Sequence, residues 1–314
     1  MHVQVLVLDG VFDAGLALVL DTLDTANALA SAPEQRARVA VVGVRRRVRT
    51  HLGFAVPVVP RPRARPDVIV VPALGAKTPG ALAQALARRD VVDATAQLQA
   101  AAAGGARVTA ACTATFVLGD AGLLAGRRAT TTWWLAPFFR ARFPAVALDE
   151  AQMVVESDNV VTAGSALAHL DLALWLVRRR SPTLARTVAN HLLYDARPSQ
   201  APFVMPDHLA HADPLVARFE EWARGHLAGF TMSAAARAVG ATERTLERRV
   251  RAVLGKSPLS FVQDLRVAHA VHRLQTTDAS LDAIAAEVGY SEATTLRTLL
   301  RRRTGRGVRE LRRA

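Results

Sequence analysis

The only cysteine of the chain, Cys112, stands where a reactive thiol would be expected. It follows the apolar run 108–111 and precedes Thr113-Ala114-Thr115-Phe116, so a buried strand turns sharply into a helix at this residue. Backbone N–H groups and the positive end of a helix favour the thiolate form of such a cysteine. This placement predicts a candidate nucleophile, and a single cysteine excludes an internal disulfide and fits a reducing compartment.

A second set of chemistry-bearing residues follows Gly240, within the segment 232–250. The glycine is expected to end one helix, and Thr242 to cap the next. Leu246 and Val250 lie four residues apart and are predicted to face the core. The remaining side chains of the second helix are predicted to meet bases and phosphates: Thr242, Glu243, Arg244, Thr245, Arg248 and Arg249.

The same pattern recurs in the segment 281–303. Gly289 is predicted to form the turn, and Ser291 to cap a second outward helix that runs to Arg303. Ala236 and Ala285 are the small residues expected where the two helices of each pair cross. The DNA-facing residues predicted in this second copy are Ser291, Glu292, Thr294, Thr295, Arg297, Thr298 and Arg301.

The distribution of charge agrees with a polyanionic partner. The formal net charge is +13, and residues 226–314 contribute +8 of it, from 16 basic and 8 acidic residues. The density of net charge is therefore several-fold higher in the last quarter of the chain. Neutralisation of phosphates by basic residues supplies most non-specific affinity for DNA. Because nearly all the basic residues are arginines in an alanine-rich chain, a GC-rich genome would also produce this bias.

The elements that must position Cys112 follow an α/β pattern. Strands are predicted at 3–8, 38–44, 68–72 and 107–111, helices at 16–30, 81–103 and 165–180, and a hairpin from 153–155 and 160–163. This order predicts a doubly wound N-terminal domain at residues 1–180. Residues 181–211 are predicted to form a helix and a Pro-rich linker that contains Pro198, Pro202 and Pro206. Residues 212–314 are predicted to form an all-α domain with two helix-turn-helix units.

The last 90 residues resemble the AraC/XylS family of regulators. The resemblance rests on Gly255-Lys256-Ser257-Pro258, on the predicted helix after it with Phe261, Leu265 and Leu274, and on the Ile284-Ala285…Gly289-Tyr290 core. It implies two recognition helices in successive major-groove segments. The sequence departs from the family at Leu296-Arg297-Thr298-Leu299-Leu300, where an aromatic–x–Arg–x–aromatic run is usual, and at the degraded Gly305–Val308 repeat. The second unit is therefore expected to read different bases or mainly to grip the backbone.

Residues 3–177 resemble the PfpI-like, class I glutamine-amidotransferase-like domain of GlxA-type regulators, including Val161-Thr162-Ala163-Gly164. The resemblance implies a flavodoxin-like, amidotransferase-like fold. It also implies a catalytic histidine after the cysteine or in a later strand, but Thr113 and Thr132 occupy those positions. The acidic partner that the superfamily supplies after the first strand would be Asp9 or Asp13. His51, His169 and His191 sit in no recognisable motif.

No enzymatic activity is therefore expected, and three roles for Cys112 stay open: a buried apolar residue, a member of a ligand pocket, or an oxidant sensor. The pocket predicted here comprises Cys112, Thr113, Asp13, Thr132 and Trp133, with Trp134 beside it. No metal site or cofactor is expected, because the histidines are scattered and His208 and His211 stand alone.

The sequence thus predicts a cytoplasmic transcriptional regulator, and the resemblance implies that it is a homodimer. Its expected partners are operator DNA and a small-molecule or redox signal, with RNA polymerase as a further candidate and no membrane. One alternative is a cysteine hydrolase or amidase with an accessory basic domain. Another is a DNA-binding protein whose N-terminal domain is an inert scaffold.

Overall fold

The computed structural model describes residues 1–59, 65–195, 199–200 and 213–312, and the chain forms two compact units, Met1–Val204 and Met205–Ala314. Each unit has its own apolar core. Within the described ranges, no helix combines the length and the apolar character that crossing a lipid bilayer requires. The three linker prolines, His208 and His211 lie outside the described residues.

The first unit alternates strands and helices, as predicted. Its strands are β1 (His2–Val7), β2 (Arg38–Gly43), β3 (Val48–Arg49), β4 (Ala55–Val56), β5 (Val68–Val71), β6 (Arg107–Ala111), β7 (Arg128–Ala129), β8 (Ala147–Leu148), β9 (Val154–Ser157) and β10 (Val160–Ala163). Its helices are α1 (Asp13–Leu29), α2 (Pro79–Leu86), α3 (Arg89–Ala103), α4 (Ala114–Asp120), α5 (Ala136–Arg142), α6 (Ala168–Arg180) and α7 (Pro182–His191).

Six strands form one sheet in the order β2-β1-β5-β6-β10-β9, and every neighbouring pair is parallel except β9 with β10. The parallel strands follow the 2-1-3-4-5 order of flavodoxin-like folds. Val5 and Val7 of β1 point to the layer of α1, α6 and α7, whereas Leu6 and the following Leu8 point to the layer of α2 to α5. This alternation buries both faces of the sheet. The predicted doubly wound fold is confirmed.

The structure differs from the sequence prediction in places. The single helix predicted over 81–103 is wrong, because Arg88 adopts an extended conformation (ψ 144°) and separates α2 from α3. The pairs β3–β4 and β7–β8 were not predicted, since two-residue strands are too short to produce a periodic pattern. The predicted hairpin is confirmed as β9 and β10.

The second unit is helical and contains no strand within residues 213–312. Its helices are α8 (Pro214–Gly225), α9 (Met232–Ala238), α10 (Glu243–Leu254), α11 (Pro258–Thr276), α12 (Leu281–Glu287), α13 (Ala293–Thr304) and α14 (Val308–Arg312).

Two helix-turn-helix pairs are formed by α9 with α10 and by α12 with α13. Gly240 (φ +68°) and Gly289 (φ +86°) take the left-handed conformation that glycine adopts without strain. The Thr242 hydroxyl accepts a hydrogen bond from the Thr245 amide at 3.2 Å, so its predicted cap is confirmed. The predicted cap at Ser291 is wrong: α13 begins one residue later, behind Glu292, whose side chain makes no capping bond.

The helix α11 joins the two pairs. Ser257 caps it by accepting from the Ser260 amide at 3.2 Å, and Pro258 occupies its first turn. Phe261 and Leu274 are buried, as the predicted bridging helix requires. Side chains of α11 therefore pack in the apolar cores of both helix-turn-helix pairs.

Candidate functional site

The candidate nucleic-acid interface consists of α10 and α13, which we call the first and second recognition helices. Each has one buried stripe, formed by Leu246 and Val250 in the first helix and by Leu296 and Leu300 in the second, and all four side chains are fully buried. Apolar residues four apart fix which side of a helix faces the core. The opposite side of each recognition helix is consequently exposed.

In the first recognition helix, Arg244 and Arg248 lie four residues apart on the exposed side. Neither guanidinium makes an ion pair or hydrogen bond with a residue that the structure describes. Arg249, in contrast, pairs with Asp213 at 2.5 Å, and Arg251 pairs with Glu247 at 2.8 Å. Of the arginines in the first recognition helix, Arg244 and Arg248 are therefore the two whose guanidinium groups can bind another molecule.

The hydroxyl groups at the start of this helix are partly committed. Besides capping the helix, the Thr242 hydroxyl donates to the Thr245 hydroxyl at 2.9 Å. Glu243 lies exposed in the first turn. Together these side chains surround the amino-terminal end of the helix, which carries the positive end of its dipole and favours phosphate.

The second recognition helix presents different chemistry on its exposed side. Because the two helices begin at Glu243 and Ala293, equivalent positions differ by 50 in number. Thr294 and Thr298 thus replace Arg244 and Arg248, and the Thr298 hydroxyl donates to the Thr294 carbonyl at 3.0 Å. The outward side of the second helix therefore offers hydroxyl and methyl groups.

The predicted arginines of the second helix flank that outward side. Arg297 and Arg301 are exposed, at positions equivalent to Glu247 and Arg251, and neither pairs with any residue in the described ranges. Arg302 is a further exposed cation that the sequence analysis missed. It lies two residues past the buried Leu300 and thus on the opposite side of the helix. The other predicted residues, Ser291, Glu292 and Thr295, are also exposed.

Polar contacts of α11 hold the two recognition helices in one arrangement. The Asp264 carboxylate accepts from Lys256 Nζ at 2.9 Å and pairs with Arg303 Nη1 at 3.1 Å. Lys256 follows the first recognition helix, and Arg303 lies in the last turn of the second. One carboxylate is therefore bonded to residues at the carboxyl ends of both recognition helices.

A second contact lies further along α11. The guanidinium of Arg266 donates twice to the Leu227 carbonyl, at 3.0 and 2.6 Å, and lies 4.9 Å from the centre of the Tyr290 ring. A Cβ at Gly289 would come within 2.6 Å of Ala228 Cα. The loop before the first pair and the turn of the second pair are thus packed together.

In the first unit, Cys112 occupies a sharp turn between β6 and α4. Its φ is +57°, in the left-handed region, and its amide donates to the Ala163 carbonyl at 2.9 Å. The Thr131 hydroxyl donates to the Cys112 carbonyl at 2.8 Å, and the Thr113 hydroxyl donates to the Leu74 carbonyl at 2.8 Å. These bonds hold the strained residue in place.

The thiol itself is protonated at neutral pH. Burial raises the pKa of Cys112 to about 11, against the smaller opposing effects of the Thr113 backbone amide and the adjacent Thr132 side chain. The helix end therefore does not make the thiol a thiolate, because loss of water outweighs the dipole of a seven-residue helix.

The other predicted pocket residues have partners of their own. Asp13 begins α1 and accepts from the Leu52 amide at 3.1 Å, and the rings of Trp133 and Trp134 meet edge to face at 5.5 Å. Neither Asp13 nor Trp133 hydrogen-bonds to Cys112 in the part of the chain that the structure describes. Of the predicted pocket residues, Thr113 and Thr132 are the two that lower the pKa of the Cys112 thiol.

His169 is the buried histidine of this unit. Its Nε2 accepts from the Ala73 amide at 3.0 Å, and its Nδ1 lies 2.6 Å from the Ala166 carbonyl, so Nδ1 carries the proton. Burial lowers the pKa of His169 to about 4. Across the described residues no histidine hydrogen-bonds to the Cys112 thiol, so the structure supplies no general base beside it.

Comparison with known proteins agrees with both units. Residues 1–179 match the DJ-1/PfpI family, and residues 235–314 match a helix-turn-helix domain. The chain is 30% identical over 196 residues to the HTH-type transcriptional regulator GlxA of Rhizobium meliloti (strain 1021), which is 60% of this chain and 59% of that protein. It is 40% identical over 72 residues to an isonitrile hydratase of Pseudomonas putida, 23% of this chain and 30% of the hydratase.

A similar solved structure is that of an AraC family transcriptional regulator from Pseudomonas putida. It has a TM-score of 0.52 and 22% sequence identity, and the match covers 61% of this chain and 98% of that structure, which supports the fold of the first unit. The chain spans less than two thirds of the length of the two relatives above. It belongs to the DJ-1/PfpI family, and its DJ-1/PfpI domain is fused to an AraC-type helix-turn-helix domain.

Proposed function

We propose that this protein is a cytoplasmic transcriptional regulator that binds operator DNA through both recognition helices and receives its signal through the DJ-1/PfpI unit. One observation carries the proposal: two exposed helices, held by the same α11, present threonine side chains together with arginines that pair with no residue in the described ranges. Two such helices on one support suit neighbouring major-groove segments of a duplex. The relative from Rhizobium meliloti, itself named a transcriptional regulator, supports the same function.

The two helices have different roles in this proposal. Arg244 and Arg248 contact guanines in the major groove, where a good bidentate arginine contributes about 1–3 kcal/mol of discrimination. Thr294 and Thr298 contact bases through hydroxyl and methyl groups. Arg297 and Arg301, on the flank of the second helix, contact phosphates, which adds affinity without selectivity.

Selection of bound duplexes from a random library tests this function. The full-length protein is expected to enrich one motif with two half-sites about one helical turn apart. Arg244→Ala is expected to relax selectivity in one half-site, whereas Arg186→Ala, which removes an exposed cation from the DJ-1/PfpI unit, serves as the matched control. If the wild type and Arg244→Ala enrich the same sequences equally, Arg244 does not read bases. If no motif emerges at physiological salt, the proposed function is wrong.

The proposal assigns no catalytic role to Cys112, because its thiol is buried and protonated and lacks a base among the described residues. A small-molecule pocket formed by Cys112, Thr113, Asp13, Thr132 and Trp133 is part of the hypothesis, as is a homodimer. Thermal unfolding of the full-length protein against a panel of metabolites tests the pocket, since a ligand of the folded state raises Tm. Light scattering at several concentrations tests the dimer.

A further inference from the structure

The residue Gln200 inserts its side chain into the first unit at the edge formed by β7, β9 and β10. Its backbone amide donates to the Ala151 carbonyl at 2.9 Å, and the Ser199 hydroxyl donates to the same carbonyl at 2.6 Å. The Gln200 side chain is 1% exposed. Burying an amide is costly unless its donors and acceptor are matched, so its surroundings are informative.

Every polar atom of the Gln200 amide is matched. Its Oε1 accepts from the Ser165 amide at 3.1 Å and from the Ser165 hydroxyl at 2.6 Å. Its Nε2 donates to the Thr131 carbonyl at 2.9 Å and the Thr130 hydroxyl at 3.2 Å, with the Gln152 carbonyl at 3.4 Å. These contacts saturate the two acceptor and two donor sites of a primary carboxamide.

The polarity of the surroundings permits one orientation of this group. The Ser165 amide can only donate, and the Thr131 carbonyl can only accept. The Thr130 hydroxyl already donates to the Gln152 carbonyl at 3.0 Å, so it accepts from Gln200. A carboxylate would place an anionic oxygen against two carbonyl oxygens. The pocket therefore distinguishes a carboxamide from a carboxylate of the same shape.

The shape of the pocket fits the planar group as well. An ideal Cβ at Gly164 would lie 2.6 Å from Cδ, Oε1 and Nε2 of Gln200, so the amide lies flat against a backbone that bears no side chain. We name this site, formed by Gly164, Ser165, Thr130, Thr131 and Gln152, the carboxamide pocket.

The carboxamide pocket adjoins the turn that carries Cys112. The Thr131 hydroxyl is bonded to the Cys112 carbonyl, and the Cys112 amide is bonded to Ala163, the residue before Gly164. A change in the occupancy of the pocket thus acts on residues that hold the Cys112 turn.

We propose that this pocket is a binding site for primary carboxamides, and that Gln200 is the ligand that occupies it in this structure. The ligand class follows from the fixed pattern of two donors facing the oxygen and carbonyl oxygens facing the nitrogen. A small molecule that carries a primary carboxamide enters the site when the Gln200 side chain does not fill it.

Chemical rescue of Gln200→Ala tests the proposal. Acetamide has the heavy atoms that this substitution removes (Cγ, Cδ, Oε1 and Nε2), and acetate is its anionic counterpart. The full-length variant is expected to melt several degrees below the wild type, and about 100 mM acetamide is expected to raise its Tm by about 2–4 °C. Acetate is expected to have no such effect, and the wild type, whose pocket is filled, is not expected to respond.

Two further variants make the test specific. Gln99→Ala removes a glutamine whose Nε2 donates one bond, to the Ala121 carbonyl at 2.9 Å, and it should lose stability without rescue. Ser165→Ala combined with Gln200→Ala should weaken the rescue, since one donor to the oxygen is gone. If Gln200→Ala does not fold, the yield of folded protein after refolding with acetamide is compared with the yield after refolding with acetate. Equal effects of the two compounds, or of acetamide on both glutamine variants, overturn the proposal.

Discussion

At the scale of single residues, whether an arginine can contact DNA depends on what else its guanidinium binds. Arg249 is held by Asp213, whereas Arg244 and Arg248 have no partner among the described residues. A contact to DNA by Arg249 would have to compete with an existing ion pair. The first recognition helix therefore has two cations ready for base contact.

Arg244→Ala and Arg301→Ala are predicted to weaken DNA binding in different ways. Arg244→Ala should cost about 1–3 kcal/mol at one base position and much less on random DNA. Arg301→Ala should weaken binding to all duplexes alike and reduce the slope of log K against log salt by about 1. Binding titrations at several salt concentrations separate these outcomes, and similar losses on specific and random DNA for both variants would contradict the assigned roles.

The Cys112 thiol is predicted to react slowly with alkylating reagents in the folded protein. Its pKa of about 11 leaves very little thiolate at pH 7–8, and burial also restricts access. Labelling with iodoacetamide should be far slower than in urea-unfolded protein and should accelerate as the pH rises towards 11. Rapid labelling of the folded protein at pH 7 would instead indicate an accessible thiolate, as an oxidant sensor needs.

The sequence located these residues but not their surroundings. The turn at Cys112 and the exposed arginines were recognisable from local pattern, because strand ends and helix faces follow from hydrophobic spacing. The state of the thiol and the partner of Arg249 were not. The first depends on how completely the fold buries the thiol, and the second depends on Asp213, which is distant in the chain; no local pattern reports either.

At the scale of elements, α11 determines how the two recognition helices are spaced. The Asp264 carboxylate contacts Lys256 after the first recognition helix and Arg303 in the second. Its side chain is 19% exposed, so water screens these contacts less than at an open surface.

Asp264→Asn is predicted to weaken binding to operators that contain both half-sites more than binding to a single half-site. The amide keeps the shape but loses charge, so each recognition helix stays folded while their relative position relaxes. Titration against duplexes with one or two half-sites measures the difference. Glu247→Gln, which alters an exposed pair within the first recognition helix, is the matched control, and an equal loss on both duplexes would argue against a spacing role.

Most helices and strands were predictable because the spacing of their apolar residues is strongly periodic. At the exceptions, the local pattern does not show where the element begins or ends. The break at Arg88 follows an alanine-rich stretch in which helical spacing continues across the interruption. The start of α13 was misplaced because Ser291 has the better capping side chain, yet the turn after Gly289 is one residue longer than the turn after Gly240. Tertiary packing at Ala228 and Tyr290 accompanies that longer turn.

At the scale of the whole molecule, the two units have separate cores and are predicted to unfold in separate transitions. Calorimetry of the full-length protein should show two heat-absorption peaks, and specific duplex DNA should raise only the one that belongs to the helical unit. A single cooperative transition that DNA raises as a whole would show that the units are coupled thermodynamically.

Acid is predicted to destabilise the DJ-1/PfpI unit selectively. His169 stays neutral in the folded state because burial lowers its pKa from 6.5 to about 4, whereas the unfolded chain binds a proton below pH 6.5. Stability is therefore complete above pH 6.5 and falls as the pH decreases to 4, by about 3 kcal/mol in total. His169→Gln should flatten this dependence of the first transition, and His191→Gln, at an exposed site, should not. An unchanged slope in His169→Gln would assign the acid sensitivity to other groups.

The unequal turns of the two helix-turn-helix pairs matter for anyone who recombines such proteins. The turn glycines are 49 positions apart, but the first residues of the recognition helices are 50 apart. A chimaera aligned on the glycines would rotate the transplanted helix by about 100° and turn its buried apolar side chains out of the core. Swapping operator preference between the two halves therefore requires grafts aligned on Leu246 and Leu296.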